Sequence, residues 1–184
     1  MAKQMIQPKE PTITIFPYPV YLISYEYKGK SNIAPVGWVA PVCNEPPMFG
    51  VSLRSNRYSH NLIKDSGKFA LNVPTQKILE EVDYCGTFSG KDFDKIKETG
   101  LTLIKTSENS PPIVEECPIN LECRVRRTTN LGTHTHFIGE VERILVDDNF
   151  KDFSDFFIAV GTNYYGLSGL IGSCQNVYLR KFRG

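Results

Sequence analysis

The eight residues Ser52-Leu53-Arg54-Ser55-Asn56-Arg57-Tyr58-Ser59 bring two arginines and three serine hydroxyls to the start of a helical pattern. Guanidinium groups make paired, charge-assisted bonds to phosphate, and first-turn N–H groups of a helix point at an anion. A phosphate site is one use for this loop. A polar strand-to-helix connection with Ser59 as the cap is the other. A second stretch, Ser31-Asn32-Ile33-Ala34-Pro35-Val36-Gly37-Trp38, is polar and then small, and it holds the single tryptophan of the chain. Ala34 and Gly37 add little bulk, so main-chain groups there can approach a flat ligand. Trp38 either offers a π face or packs beneath the loop. A third, Ser89-Gly90-Lys91-Asp92-Phe93-Asp94-Lys95, is a loop with two lysines that also suits a solvated surface. His134 and His136 are two apart on a strand pattern and face one way. His134 follows a turn, where an imidazole can contact a ligand or donate a proton. His136 reads as a structural histidine. No third ligand is spaced for zinc, so no metal site is expected. No Ser-His-Asp or Cys-His set and no carboxylate pair stands out, which leaves hard chemistry to a cofactor.

The elements that would carry these residues are mostly strands. Residues 1–12 read as a flexible polar tail and 13–184 as one domain. Ile13 to Phe16 and Val20 to Tyr27 are dense in β-branched and aromatic residues and end at Lys28-Gly29-Lys30. Val36 to Val42 is a short strand interrupted by Pro41, hence an edge or bulge. Met48 to Leu53 is a strand, and Ser59 is expected to cap a helix closed by Gly67. Phe69 to Val73 is a strand. Thr75 is expected to cap a helix to about Cys85, with Ile78, Leu79, Val82 and Cys85 on one face. A short helix near Asp92 to Glu98 ends at Gly100. Leu101 to Thr106 is a strand and 107–118 a proline-rich loop. Ile119, Leu121, Cys123 and Val125 then alternate with Asn120, Glu122, Arg124 and Arg126. After Asn130-Leu131-Gly132, His134 to Val146 continues the pattern, and Ala159-Val160 with Val177 to Lys181 is expected to close the sheet. Many short strands with a few small helices favour a closed β-barrel, and no G-x-G-x-x-G supports a Rossmann fold.

The 184 residues are 41% apolar and 22% charged, enough for a packed domain without disulfide staples. Twenty-one basic side chains against 20 acidic ones leave a charge of +1, so no field recruits nucleic acid or an anionic membrane. No signal peptide and no apolar run of spanning length is present, which points to the cytoplasm. The five cysteines (Cys43, Cys85, Cys117, Cys123, Cys174) include no C-x-x-C pair and read as free buried thiols.

Eight short motifs stand in order over residues 16 to 180: Pro17 to Val20, N-x-A-P-x-x-W (Asn32 to Trp38), Glu45 to Pro47, and V-S-L-R with N-R-Y-S (Val51 to Ser59). They continue with Gly67 to Pro74, Asp94-Lys95, Leu121 to Cys123, and G-T-H-T-H-F-I-G-E-V (Gly132 to Val141). In this the chain resembles the flavin reductase-like, FMN-binding split-barrel family, which includes flavoredoxins and archaeal ferric reductase. The resemblance implies a mainly β split barrel with a few short helices, a homodimer, and FMN near the subunit interface. It implies that Asn32, Ile33, Ala34, Pro35, Val36, Gly37 and Trp38 run along the isoalloxazine. Ser52, Arg54 and Ser59, helped by Asn61 and Lys91, would hold the ribityl phosphate, with Leu53 and Tyr58 also among the cofactor-binding residues. His134 corresponds to the histidine of the family's G-D-H segment, on the nicotinamide or acceptor side. Gly37 stands where relatives commonly carry serine, and Thr133 replaces the acidic residue before the histidine. The implied function is electron transfer from NAD(P)H or a redox partner protein through FMN to free flavin, a ferric complex or a protein. A non-catalytic FMN-binding electron carrier is the alternative.

Overall fold

The computed structural model describes residues 16–167. The expectations for 1–12, for Ile13 to Ile15, for Val177 to Lys181 and for Cys174 lie outside the described residues. Seven strands form one antiparallel sheet in the order β3-β2-β6-β9-β10-β5-β4. These are β2 (Tyr21–Tyr27), β3 (Lys30–Val36), β4 (Val39–Asn44), β5 (Pro47–Arg54), β6 (Lys68–Val73), β9 (Ile119–Leu131) and β10 (His134–Val146). The sheet curls around Ile23, Tyr25, Val51, Leu53, Phe69, Leu71, Leu121 and Phe137, all buried in one cluster. Its two end strands, β3 and β4, follow each other in sequence but do not pair. The fold is therefore a split barrel, open between β3 and β4, with Gly37-Trp38 as the covalent link across the opening.

Local chemistry explains where elements depart from the sequence reading. Asn32 to Val36 was expected as a connecting loop but is the core of β3, paired residue by residue with β2 (Ser24↔Ile33, Leu22↔Pro35). Pro35 is tolerated because β3 is an end strand of the sheet. In β4 the register shifts between Pro41 and Cys43, the irregularity expected at Pro41. The helix α1 (Tyr58–Ser66) closes at Gly67 with φ 67°, but its N-cap position is Arg57 and no side chain caps it. Ser59 lies inside the helix, buried, with its hydroxyl bonded to the Tyr25 phenol instead. Thr75 is likewise no side-chain cap. It precedes a 3₁₀ turn (Gln76–Ile78) that runs into α2 (Leu79–Thr87).

The expected alternation of β9 also fails on one face. Asn120 and Glu122 are buried rather than solvated. Asn120 donates to Asn72 Oδ1 (2.9 Å) and to the Val114 carbonyl (3.0 Å), while Glu122 meets Thr106 and, at 3.2 Å, Arg143. The segment containing β7 (Leu103–Ile104) and β8 (Ile113–Val114) lies over that face, so its polar side chains serve as anchors. Leu101–Thr106 thus yields only the two-residue β7. Finally, β11 (Phe157–Val160) pairs with β1 (Tyr18–Pro19) and β12 (Asn163–Gly166) in a separate three-stranded sheet rather than closing the barrel. A second apolar cluster, including Leu22, Ile33, Val82, Cys85, Val114 and Phe157, fills the space between that sheet, α2 and the barrel. Ile78, Leu79, Val82 and Cys85 turn inward as their spacing required. Cys85, Cys117 and Cys123 are buried, whereas Cys43 is exposed on β4. No described helix is long and apolar enough to cross a membrane.

Candidate functional site

Three elements converge at the split. The β3 edge forms one wall, α1 brings its N-terminus, and α2 brings its C-terminus and the loop that follows. Between them lies a cleft of about 230 Å³ lined by Asn32, Ala34, Pro35, Val36, Leu53, Arg57, Tyr58, Ser59, Cys85, Gly86, Thr87, Phe88, Ser89, Gly90 and Lys95. It runs into an adjoining groove of about 620 Å³ that shares Asn32, Tyr58, Gly90 and Lys95 and adds Lys91 and Phe93.

Lys95, the first residue of α3 (Lys95–Thr99), is the most informative side chain in the cleft. Asp94 caps that helix by accepting from the Lys97 N–H at 3.2 Å, which turns Lys95 inward. Lys95 is only 5% exposed. Its Nζ donates to the Ile33 carbonyl of β3 (3.0 Å) and to the Cys85 carbonyl of α2 (2.6 Å), tying the two walls together. Burial pushes its pKa below the usual lysine range. The Cys85 sulfur opposes that shift, and the Arg57 guanidinium adds to it. An ammonium has three donors, so one remains for an anion in the cleft. Arg57 and Lys95 thus place two cations beside the N-terminus of α1, which itself favours negative charge.

The opposite wall is held close by missing side chains. A Cβ on Gly86 would lie 3.0 Å from Pro35 Cγ, and one on Gly90 would fall on the Asn32 amide. Asn32 cannot swing away freely, because its amide nitrogen donates to the Tyr25 hydroxyl. Burial raises the Tyr25 pKa to about 12, against the opposing hydrogen bonds from Ser59 and Asn32, so the phenol stays protonated. Burial likewise raises the Cys85 thiol to about 11 despite the neighbouring ammonium, so it is not a ready nucleophile. At the rim, Tyr84, Phe88 and Phe93 form an aromatic row with centroid spacings of 4.5 and 5.0 Å.

The expected site residues divide between two faces. Asn32, Ala34, Pro35, Val36, Leu53, Tyr58 and Ser59 line the cleft, and Lys91 lines the groove. Ile33 is buried in the outer core and contributes its carbonyl to Lys95. Asn61 is exposed, with its amide oxygen 2.9 Å from His60 Nδ1. Because side chains alternate along a strand, Ser52 and Arg54 project from the face of β5 opposite Leu53. There they stand across from His136 and His134 of β10. Ser52 Oγ is 2.9 Å from His136 Nδ1, and Trp38 stacks on His134 at 4.5 Å with an interplanar angle of 26°. Arg57, rather than Arg54, is the arginine that lines the cleft. Sequence reasoning also missed Cys85 to Phe88 and gave Lys95 no role. The lysine loop that it singled out, Ser89 to Lys95, was the signal that led toward them.

A family model described as the flavin reductase like domain matches residues 13–165. An uncharacterized protein from Archaeoglobus fulgidus is 38% identical over 138 residues, covering 75% of this chain and 77% of its own. The FMN reductase (NADH) RutF of Stutzerimonas stutzeri is 25% identical over 130 residues, covering 71% and 70%. Among solved structures, flavoredoxin from Methanosarcina acetivorans superposes with a TM-score of 0.83 at 27% identity over 95% of this chain and 97% of its own.

Proposed function

The chain belongs to the flavin reductase-like family, and on that premise we propose that it is an FMN-dependent oxidoreductase. It would pass electrons from NAD(P)H or a redox partner to free flavin, a ferric complex or a protein. The observation that carries this reading is the cleft itself, with Lys95 and Arg57 beside the α1 N-terminus and the Asn32–Val36 edge along one wall. That donor set fits a phosphate ester: two cations and helix N–H groups at one end, apolar and main-chain groups further along.

When bound, FMN supplies the hydride and single-electron chemistry. The chain's own part is to hold and orient it. Lys95 and Arg57 would take the phosphate, with Tyr58, Ser59 and Gly90 shaping that end. Ala34, Val36 and Leu53 would exclude water from the middle of the ligand. The Trp38–His134 stack, just across β5, is the natural edge for the ring and for a nicotinamide or acceptor approaching it. Support for a homodimer comes from β4, whose outer edge pairs with no described strand and which carries exposed Val42 (47%) next to exposed Trp38 (37%). Gel filtration should then give about twice the 20.8 kDa chain mass.

Likeness to a flavoredoxin favours the second reading, an FMN-binding electron carrier without a dedicated small-molecule substrate. Loading the protein with FMN and mixing it anaerobically with NADH or NADPH separates the two. Rapid bleaching of the flavin band supports the reductase; bleaching only by a reduced protein partner supports the carrier.

A further inference from the structure

The Gly37 peptide is the link across the split, directly after Val36 of the cleft wall. Its φ is not in the left-handed region, so backbone conformation does not demand glycine there. Packing does. A Cβ at 37 would fall on the Tyr18 ring at Cδ2 and Cε2 and lie 3.3 Å from its Cγ. Tyr18 belongs to β1 and is fixed from behind, since it pairs with Ala159 of β11 and packs on the outer apolar cluster. On β12, Tyr164 lies near enough to feel the Tyr18 phenol and donates its own hydroxyl to Asp83 Oδ1 of α2 at 3.1 Å. The next residue is pinned from the barrel side. The Trp38 carbonyl accepts from the Ser52 N–H at 3.0 Å, and the Trp38 ring stacks on His134. The link is therefore held between the small sheet on one side and β5 and β10 on the other.

We infer that Tyr18 is a positioning residue for the cofactor: its ring sets the height of the Gly37 peptide and makes glycine obligatory there. Beside Val36 of the cleft wall, residue 37 can then offer a ligand main-chain groups and no side chain. This role rests on the flavin reading above. The constraint comes from a residue 19 positions earlier in the sequence.

The test is a double-mutant cycle on the full chain, with Gly37→Ser, Tyr18→Ala, the double variant and Tyr18→Phe. Three quantities are read: the urea midpoint of the cofactor-free protein, the Kd for oxidised FMN and the Kd for reduced FMN. With Tyr18 present, Gly37→Ser is expected to weaken FMN by about tenfold and lower the urea midpoint. In the Tyr18→Ala background the same serine costs no more than about threefold, since its clash has gone. Tyr18→Ala alone shifts the ratio of the two Kd values by about threefold or more, a readout that mere loss of stability does not move. Tyr18→Phe keeps the ring and behaves as wild type, which guards against variants that simply fold poorly. Additive effects of the two substitutions, or an unchanged Kd ratio in Tyr18→Ala, overturn the role of Tyr18 while leaving FMN binding standing. A wild-type chain that binds no FMN overturns the cofactor reading and this role with it.

Discussion

Replacing Lys95 by methionine removes the side chain that joins the two walls of the cleft. The residue is 5% exposed, and its ammonium makes two bonds, to the Ile33 carbonyl at 3.0 Å and the Cys85 carbonyl at 2.6 Å. Without it, two buried carbonyls lose a charged donor, each worth about 1–3 kcal/mol. Relief from burying a charge offsets part of that, because methionine fills the stem volume at no desolvation cost. The net loss should be about 2 kcal/mol, or about 4–8 °C in Tm for a chain of this length. The effect on ligand is separate. If the third donor meets the phosphate, FMN loses a charge-assisted bond of about 1.5–3 kcal/mol, a weakening of about 10- to 150-fold. Riboflavin, which has no phosphate, should weaken by no more than about threefold. The assay is a pair of fluorescence titrations, FMN and riboflavin, at a temperature where the variant is folded. Equal weakening of both ligands would show that Lys95 only shapes the cleft. Unchanged FMN affinity would remove the phosphate from this end altogether.

Arg57→Ala should raise the FMN Kd several-fold more than Arg54→Ala does, since Arg57 lines the cleft and Arg54 projects from the other face of β5; the same paired titrations check it. Gly90→Ala should lower stability by about 1–3 kcal/mol in urea unfolding and narrow the cleft, because its Cβ falls on an Asn32 amide tethered to Tyr25. Stability should fall as pH rises above 9. The Cys85 thiol is raised from 9.0 to about 11 by burial, so its contribution is complete below the unfolded value and is lost through the folded one. Cys85→Ala should remove part of that alkaline slope in a series of urea midpoints taken from pH 8 to about 11.

The barrel itself was readable because strand signals are local. β2, β5, β6, β9 and β10 lie close to their expected spans, and turn glycines such as Gly67 and Gly100 close the helices before them. What was not readable depends on partners distant in the chain. Asn32–Val36 looks like a loop until β2 pairs with it. Ser59 looks like a cap until Tyr25, 34 residues earlier, takes its hydroxyl. Asn120 and Glu122 look solvated until the β7–β8 segment covers them. The site was half legible for the same reason. The polar loop before α1 and the lysine loop after α2 were both visible, but only the alternation of β5 sets Arg54 across from His134, and only the turn into α1 brings Arg57 to the cleft. The lysine loop and the Asp94-Lys95 pair marked the place, but that Lys95 is buried and held by two carbonyls depends on β3 and α2, which are distant in the chain.

Trp38 is the single tryptophan of the chain and sits beside the proposed site, stacked on His134, so its fluorescence reports on the ligand directly. Titrating the cofactor-free protein with FMN should quench that emission saturably at one FMN per chain, with the bound flavin resistant to removal by riboflavin. Emission that falls only in proportion to added FMN, without saturation, would mean that the cleft between β3, α1 and α2 does not hold the cofactor.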